Sequence, residues 1–296
     1  VSGRKDHGAA LGLSGRVIRP HIAAARQDGN AMSDDAVGIA VAQFSPIAGD
    51  NLPAVQEMET KAAHRGARIV VFPEYTSYFS NPFDESLVTH AQTLDGEFIS
   101  GVTALASRLG ITIVVGLLES APGERVYNTA VAVGPAGVLA TYRKQHLYDA
   151  FGQKESDWVA PGEIEAPQTF TVDGVTFGMQ TCYDLRFPEI TRTIVDAGAQ
   201  VVLVPAEWVR GPLKEHHWRT LIHARAIENT VYVAAADHMP PLGVGNSMIV
   251  DPTGVEIAAI GAERRVAVAY VSAELIDSVR ERNPSLSARR YRVVPR

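Results

Sequence analysis

Short apolar runs alternate with amphipathic stretches along most of the chain, beginning at Val37. The runs have the length of buried strands, and the stretches between them carry apolar residues at helical spacing. Residues 50–66 illustrate the second type, because their apolar positions recur every three or four residues and Pro53 suits a first helical turn. The pattern therefore predicts alternating strands and helices from Val37 onward.

Turns that contain Gly or Pro separate most of the predicted elements. Helices are expected at residues 50–66, 97–109, 187–197 and 212–229. Strands are expected at residues 37–44, 67–72, 111–117, 128–133, 137–144, 175–180, 200–205, 231–236, 247–251 and 255–260. Two hairpins are included, with turns at 134–137 and 252–254. This mixture predicts an α/β sandwich with helices covering sheets, and it argues against a helical bundle or an all-β fold.

Length and composition exclude several classes of protein. The chain has 296 residues, of which 46% are hydrophobic, and this suits one globular domain or at most two. A net charge of −6 and the absence of a basic patch argue against nucleic acid as a partner. The longest apolar runs have the length of strands, so no segment is expected to span a membrane.

The N-terminal 31 residues differ from the rest of the chain. They carry scattered arginines and no sustained apolar segment, so they do not form a secretory signal. We expect the biological chain to start at Met32, with an organelle-type targeting sequence as the alternative. The predicted division is an N-terminal extension over 1–35, disordered or not native, a folded domain over 36–280 and a C-terminal arm over 281–296.

Cys182 is the only cysteine, which rules out an internal disulfide and an all-cysteine metal cage. It lies between the predicted strand 175–180 and a helix expected to start near Pro188. Unpaired N–H groups and the positive end of a helix dipole at such a position favour a thiolate, and they can also stabilise an oxyanion. The position therefore predicts a nucleophile, with a buried structural cysteine as the alternative.

Glu74 and Lys144 also lie at the ends of predicted strands. Glu74 follows the buried strand 67–72, where a carboxylate is costly without a partner and can gain the pKa of a general base. Lys144 ends the strand 137–144, and its ammonium could lower the pKa of a nearby thiol and hold an oxyanion. A helix cap or surface carboxylate and a solvated lysine are the alternatives.

The residues around these three positions form the blocks VVFPEY, YRKQHLYDAF and QTCYDLRFPE. With these blocks in this order, the chain resembles the nitrilase superfamily of carbon–nitrogen hydrolases, and within it the Nit-type amidases. The resemblance runs from about Val37 to about Val271. It implies a four-layer αββα sandwich, and it makes residues 36–280 a carbon–nitrogen hydrolase domain.

The resemblance also implies an activity. Glu74, Lys144 and Cys182 would together cleave a small amide and release ammonia through a cysteine thioester. No metal or other cofactor would be needed. The enzyme would pair into a homodimer or larger homo-oligomer. A cytoplasmic location would suit it. The open alternatives are an N-carbamoyl amino acid hydrolase, a nitrilase, an isochorismatase-like hydrolase and an inactive relative that acts as a binding protein.

Further site residues follow from the same resemblance. Glu155 matches a second glutamate that positions the lysine and the substrate. The backbone N–H of Tyr183 would help to hold the oxyanion, and the form of the cysteine block favours amides over nitriles. Glu207 and Trp208 would line the substrate pocket, although Trp208 could simply be a packed aromatic residue.

Arg186 lies four residues after the cysteine, where related carbamoylases use an arginine to bind a substrate carboxylate. A guanidinium can form such a contact through two parallel hydrogen bonds. We therefore expect a substrate that carries a carboxylate a few bonds from the scissile carbon. The alternative is an ion pair of Arg186 with Asp184 or Glu189.

The predicted helix 212–229 contains a group of acidic and histidine side chains, namely Glu215, His216, His217 and His223. No HExxH spacing is present, and adjacent helical residues point about 100° apart. A solvated helix face or an interface is expected there, and no metal site.

Overall fold

The computed structural model describes residues 36–296, and the expected N-terminal extension, Met32 start and targeting sequence lie outside this range. Within the described residues, the α-helices are α1 (Leu52–His64), α2 (Ser86–Thr89), α3 (Glu97–Leu109), α4 (Pro188–Asp196), α5 (Lys214–Asn229) and α6 (Ala273–Arg282). The strands are β1 (Val37–Gln43), β2 (Ile69–Val71), β3 (Thr112–Ser120), β4 (Val126–Gly134), β5 (Gly137–Arg143), β6 (Val159–Ala160), β7 (Thr169–Val172), β8 (Val175–Met179), β9 (Val201–Ala206), β10 (Tyr232–Asp237), β11 (Met248–Val250), β12 (Glu256–Ala259) and β13 (Arg265–Val271).

These strands form two sheets within residues 36–296. The first has the order β13-β1-β2-β3-β4-β5 with β6 paired to β4, and the second has the order β12-β11-β10-β9-β8-β7. The centre of each sheet is a set of three parallel strands, β1-β2-β3 and β8-β9-β10, whose crossover connections contain helices. Loops that leave the carboxyl ends of parallel strands emerge at one edge of a sheet, where ligand sites of α/β proteins form.

The two sheets pack face to face between two layers of helices. Along β1, Ile39 and Val41 contact the second sheet, whereas Ala40 and Ala42 contact α1 and α3 on the outer face. On the opposite side, α4 and α5 cover the second sheet through a cluster that includes Trp218. This arrangement confirms the predicted four-layer αββα sandwich, and it differs from the three layers of an isochorismatase-like hydrolase.

The predicted elements are present, with ends shifted by a few residues, but the pattern missed α2, β6, β7, β13 and α6. β13 pairs along the whole of β1, with Val37 opposite Val271, so no local turn signal announces it. α6 continues through Arg282, and residues 283–296 contain neither helix nor strand. The division at residue 280 into a domain and an arm stays a prediction. No helix within residues 36–296 is long and apolar enough to cross a bilayer.

Candidate active site

Three strand ends bring the predicted catalytic side chains to one cavity. Glu74 follows β2, Lys144 follows β5 and Cys182 follows β8, so the first two belong to one sheet and the third to the other. All three line a cavity of about 370 Å³. The packing of the two sheets therefore brings together residues that are separated by up to 108 positions in the sequence, from Glu74 to Cys182.

Lys144 forms the centre of a buried charge cluster. Its Nζ donates hydrogen bonds to Glu74 Oε1 at 2.9 Å and to Glu155 Oε2 at 2.8 Å. The exposed fractions are 2% for Lys144, 1% for Glu74 and 3% for Glu155. Asn128 lies between the carboxylates, and its amide donates to Glu74 at 2.6 Å and to Glu155 at 3.2 Å. One ammonium thus holds two carboxylates in fixed positions.

The two carboxylates have opposite pKa shifts. Burial raises the pKa of Glu74, and the Lys144 charge only partly offsets it. Burial also acts to raise the pKa of Glu155, but the Lys144 ammonium and hydrogen bonds from Lys144 and Tyr75 outweigh it, so the pKa lies below the usual value. Tyr75 Oη donates to Glu155 at 2.5 Å, and the Tyr148 N–H donates to it at 2.6 Å. Glu155 is therefore the permanent counterion, and Glu74 is the carboxyl group better able to exchange a proton.

Cys182 begins a five-residue 3-10 turn that precedes α4. Its φ of 45° lies in the left-handed region, which is unusual for a residue with a Cβ and is typical of strained functional positions. The thiol donates to the carbonyl oxygen of Glu207 at 3.4 Å, and the N–H of Glu207 donates to Glu74 Oε2 at 2.7 Å. The backbone of Glu207 therefore forms hydrogen bonds with both the Cys182 thiol and the Glu74 carboxylate.

The environment of Cys182 corrects one expectation. Burial raises the pKa of the thiol well above its usual value, and the nearby charge of Glu74 adds to this effect. This direction is opposite to the expectation that a helix N-terminus would favour the thiolate, because burial is the largest effect on the thiol, while α4 begins at Pro188 as predicted. The raised pKa therefore favours the protonated thiol at neutral pH. Lys144 stays charged, since Glu155 and Glu74 raise its pKa against the effect of burial.

Asp184 joins the segment around Lys144 to the turn that begins at Cys182. Its carboxylate accepts hydrogen bonds from Tyr142 Oη at 2.8 Å and from the His146 N–H at 3.0 Å. Asp184 therefore accepts hydrogen bonds from the residues two positions before and two positions after Lys144. Within the described residues Arg186 forms no ion pair with Asp184 or Glu189, so the alternative interpretation of Arg186 is wrong.

The predicted substrate-binding residues Tyr183, Arg186, Glu207 and Trp208 all line the cavity. The Arg186 guanidinium lies 5.0 Å from the Trp208 ring centre, and its Nη2 is 3.3 Å from His217 Nδ1. Burial and the charge of Glu74 raise the pKa of Glu207 well above its usual value. Trp208 is buried, packs against Trp218 and also lines the cavity.

Sequence reasoning missed Asn128, Tyr75 and Lys214, all of which contribute to this site or line its cavity. Asn128 had a detectable signal, because it is a polar residue inside the apolar strand β4. Tyr75 directly follows Glu74 and could have been included with it. Lys214 had no such signal, since a lysine at the start of a helix is ordinarily solvated.

The histidines of α5 have other contacts. His217 lies beside Arg186, and His223 Nδ1 lies 2.6 Å from the Arg219 carbonyl oxygen. Among residues 36–296, no group of three or more His, Cys, Asp or Glu side chains is arranged to hold a metal ion.

Comparison with known proteins identifies the family of the chain. The carbon–nitrogen hydrolase family profile matches residues 38–281. The chain is 38% identical over 242 residues to a deaminated glutathione amidase of Escherichia coli O157:H7, covering 81% of this chain and 92% of that protein. It is 30% identical over 273 residues to an omega-amidase of Danio rerio, covering 88% and 96% of the two chains.

Solved structures have the same fold. The Caenorhabditis elegans NitFhit protein superposes with a TM-score of 0.79 at 28% identity, covering 88% of this chain and 66% of that one. An amidase variant from Nesterenkonia sp., solved in complex with acrylamide, gives a TM-score of 0.75 at 26% identity and covers 88% and 97% of the two chains. The similarity therefore extends over nearly all of the described sandwich.

Proposed function

Because the chain belongs to the carbon–nitrogen hydrolase family, we propose that it hydrolyses a small linear amide and releases ammonia through a thioester on Cys182. One observation carries the proposal. The Lys144 ammonium binds Glu74 and Glu155 in the same cavity that contains the Cys182 thiol. These are the groups that an acyl transfer needs, namely a nucleophile, a base and a cation for the oxyanion.

Acylation of the enzyme is the first step of this proposal. Glu74 accepts the thiol proton as Sγ of Cys182 attacks the amide carbon, and the carbonyl oxygen becomes an oxyanion. The Lys144 ammonium and the Tyr183 N–H stabilise that oxyanion. The C–N bond then breaks, and the proton held by Glu74 passes to the nitrogen, which leaves as ammonia. Because the pKa values of both Cys182 and Glu74 are raised, each of the two groups can hold the transferred proton.

Hydrolysis of the thioester completes the cycle. Glu74 takes a proton from a water molecule that attacks the thioester carbon, and the same two donors stabilise the second oxyanion. The C–S bond breaks, the proton returns to the Cys182 sulfur, and the carboxylic acid product leaves. Glu155 does not transfer protons in this scheme. Its lowered pKa keeps Glu155 ionised, and its hydrogen bonds with the Lys144 ammonium hold that lysine in position.

The experiment that tests the proposal is an ammonia-release screen over amides, nitriles and N-carbamoyl compounds. The protein is expected to release ammonia from at least one linear amide, and the Cys182→Ala variant provides the control for contaminating activity. Release that persists in the variant would contradict the mechanism. Binding of amides without any turnover would favour the alternative of an inactive family member.

Amides are expected to be better substrates than nitriles. The cysteine block CYDLRFPE places Tyr183 next to the nucleophile, as in the Nit-type amidases that the chain resembles. The measurement is kcat/KM for a matched amide and nitrile of the same carbon skeleton. A clear preference for the nitrile would contradict this prediction, and a preference for N-carbamoyl compounds would move the assignment to carbamoylases.

Gly116 is expected to be necessary for the position of Glu74. A Cβ built on this β3 residue would lie 2.4 Å from the Tyr75 nitrogen and 2.8 Å from the Glu74 carbonyl carbon, so Gly116→Ala must displace the backbone that carries Glu74. A displacement of about 1 Å can cost about a hundredfold in rate, and we expect a loss of kcat/KM of that order.

Gly101→Ala is a matched control for this prediction. Its Cβ would meet only the flexible end of the Leu52 side chain, at 2.5 Å, and Gly101 lies in the outer helix α3. We expect this variant to retain most of the activity. Circular dichroism would verify that both variants fold, and equal activities of Gly116→Ala and the wild type would contradict the positioning argument.

We further propose that the protein forms a homodimer through α4 and α5 and acts in the cytoplasm. The two helices cover one face of the sandwich, and Ile227 on α5 is 48% exposed. An apolar side chain on a helical face suits an isologous interface. Light scattering on the purified protein measures the oligomeric state, and replacing Ile227 with Lys is expected to weaken the dimer. A monomer at micromolar concentration would contradict the proposal.

A further inference from the structure

The backbone of Glu74 receives a hydrogen bond from the opposite sheet. Glu74 lies in the turn that follows β2, and Nε2 of His238 lies 2.8 Å from its carbonyl oxygen. His238 directly follows β10, at the same edge of the second sheet as Glu207. Within residues 36–296, the Glu74 backbone makes no other hydrogen bond. Among these residues, the imidazole is therefore the one group that holds the backbone of the proposed base by a hydrogen bond.

The peptide between Glu74 and Tyr75 carries two members of the charge cluster. The Glu74 carboxylate accepts a hydrogen bond from Lys144 at 2.9 Å, and Tyr75 Oη donates to Glu155 at 2.5 Å. Tyr75 has a φ of 57°, in the left-handed region that a residue with a Cβ adopts only at a cost. Such a conformation persists where the surrounding structure holds it. The orientation of this peptide therefore sets the positions of both side chains, and it requires support from outside the turn.

His238 is itself fixed by contacts that do not involve Glu74. Its side chain is fully buried, and its ring meets that of Phe79 edge to face, with 4.8 Å between the ring centres. Its N–H donates to the Ala206 carbonyl oxygen at 3.3 Å, and its carbonyl oxygen accepts from the Gly245 N–H at 3.0 Å. The imidazole is thus held by the second sheet and by Phe79, so it can serve as a fixed support for Glu74.

The hydrogen bond also defines the state of the His238 ring. A carbonyl oxygen can only accept, so Nε2 carries the proton. Burial lowers the pKa of His238 to about 4, so the ring is neutral at neutral pH and Nδ1 has no proton. Nδ1 is buried without a hydrogen-bond partner among the described residues, and this costs free energy that an apolar ring would not. The Nε2 donor is the feature that distinguishes this ring from a phenylalanine at the same place.

We propose that His238 is a positioning residue, whose Nε2–H fixes the peptide after Glu74 and thereby directs the Glu74 carboxylate towards the Cys182 thiol. This inference rests on the proposed amide hydrolysis, because it assigns His238 to the steps in which Glu74 moves a proton. His238 does not line the cavity, so it acts through Glu74 and not on the substrate. Loss of the hydrogen bond should therefore lower kcat and leave KM nearly unchanged.

The first arm of the test compares two neutral amides at position 238, with an amide that the wild type cleaves as substrate. The side-chain nitrogen of His238→Gln reaches the position of Nε2, whereas that of His238→Asn reaches only the position of Nδ1. His238→Asn should lower kcat by about ten- to a hundredfold at nearly constant KM, because Glu74 is displaced, and His238→Gln should retain most of kcat. An asparagine variant with the wild-type kcat, an equal loss in both folded variants, or a loss confined to KM would overturn the proposal.

His90→Leu is the matched control. His90 Nδ1 also lies 2.8 Å from a backbone carbonyl oxygen, that of Ser86, and its ring stacks on Tyr78, but it does not line the cavity. This variant should keep the wild-type kcat. Circular dichroism would verify that all three variants fold.

The second arm needs no turnover. Carbon-13 NMR can follow the titration of the Glu74 carboxyl carbon, which is assigned by its absence in Glu74→Gln. Burial raises the pKa of Glu74, the Lys144 ammonium lowers it and the Glu155 carboxylate raises it. A Glu74 carboxylate that is less closely held beside Lys144 should titrate at higher pH in His238→Asn, and His238→Gln should keep the wild-type value. The same Glu74 pKa in His238→Asn and the wild type would overturn the proposal.

The two arms separate this inference from the proposed function. If the Glu74 pKa rises in His238→Asn alone but the wild type cleaves no amide, the positioning of Glu74 stands and the hydrolytic assignment fails. If amides are cleaved with the same kcat by the wild type and both His238 variants, the hydrolytic assignment stands and the positioning role fails.

Discussion

Replacing Cys182 with Ala is expected to lower kcat for amide hydrolysis by at least about 10⁴-fold while the protein remains folded. Removal of a catalytic nucleophile has effects of about this size or larger in well-studied hydrolases. The physical reason is that the proposed thioester cannot form without sulfur, and neither Glu74 nor Lys144 can replace it as the nucleophile. The loss of the thiol should change stability little, because alanine keeps the Cβ and the hydrogen bond from the thiol to the Glu207 carbonyl oxygen is long, at 3.4 Å.

Alkylation provides an independent measurement. Because Cys182 is the only cysteine, iodoacetamide should add a single label to the wild type, and activity should disappear in proportion to labelling. The raised pKa of the buried thiol predicts slow labelling at neutral pH and faster labelling as the pH rises. Substrate or product in the cavity should protect the residue. Full turnover by the alanine variant or by fully labelled enzyme would refute the nucleophile assignment.

Replacing Lys144 with Met is expected to affect both activity and stability. Removing one partner from a buried ion pair typically costs about 3–5 kcal/mol in the free energy of unfolding, because an uncompensated charge remains. Here two carboxylates, Glu74 and Glu155, would face each other without a cation. Loss of one oxyanion donor should in addition reduce kcat by about 10²–10³-fold.

The loss of stability should depend on pH. In the wild type, the pKa of Glu155 is lowered on folding, so its stabilising contribution is present above the unfolded value of about 4.3 and is lost as the pH falls through the folded value. Without Lys144, burial raises the folded pKa values of Glu74 and Glu155. In the variant, the contribution of these two groups to stability is therefore largest below about pH 4.3 and falls as the pH rises. The difference between wild type and variant should therefore grow between about pH 4.5 and about pH 8.

Urea denaturation at these two pH values measures the difference in the free energy of unfolding. Adding Glu155→Gln to the Lys144→Met variant should recover part of the stability at about pH 8, because one buried charge is removed. Lys61→Met is the surface control, since its pair with Glu57 is exposed and should contribute less than about 1 kcal/mol. An equal loss at both pH values would contradict the coupling of Lys144 to the two carboxylates.

Much of the fold was predictable because the relevant information is local. The continuous apolar run of β1 indicates a strand that is buried on both faces, and the three-to-four-residue spacing in α1 indicates a helix that is buried on one face. Both patterns are visible within a short window of sequence. The alternation of strands and helices then limits the fold to layered α/β arrangements. β13 escaped prediction because it depends on a distant partner, and nothing near Arg265 indicates that β1 lies beside it.

Some features of the candidate site were also predictable from the sequence, whereas others were not. Glu74, Lys144 and Cys182 stood out because each lies at a strand end in a distinctive block, and Glu155 followed from the resemblance. Their convergence in one cavity agrees with that prediction, whereas their catalytic roles stay a proposal until variants are measured. The structure opposes the expected thiolate, because the burial of Cys182 in the folded protein raises the pKa of its thiol.

The sequence alone therefore indicated most of the strands and helices, the layered class of fold and the candidate reactive residues, since these follow from local spacing, side-chain chemistry and the three family blocks. Only the tertiary structure decided that the Glu207 backbone connects Cys182 to Glu74, and that Lys214 and Arg186 lie against the same aromatic rings. Hydrogen bonds, burial and the pKa values that depend on them are properties of surfaces brought together by folding. They depend on residues far apart in the chain, and no local pattern encodes the distance between such residues.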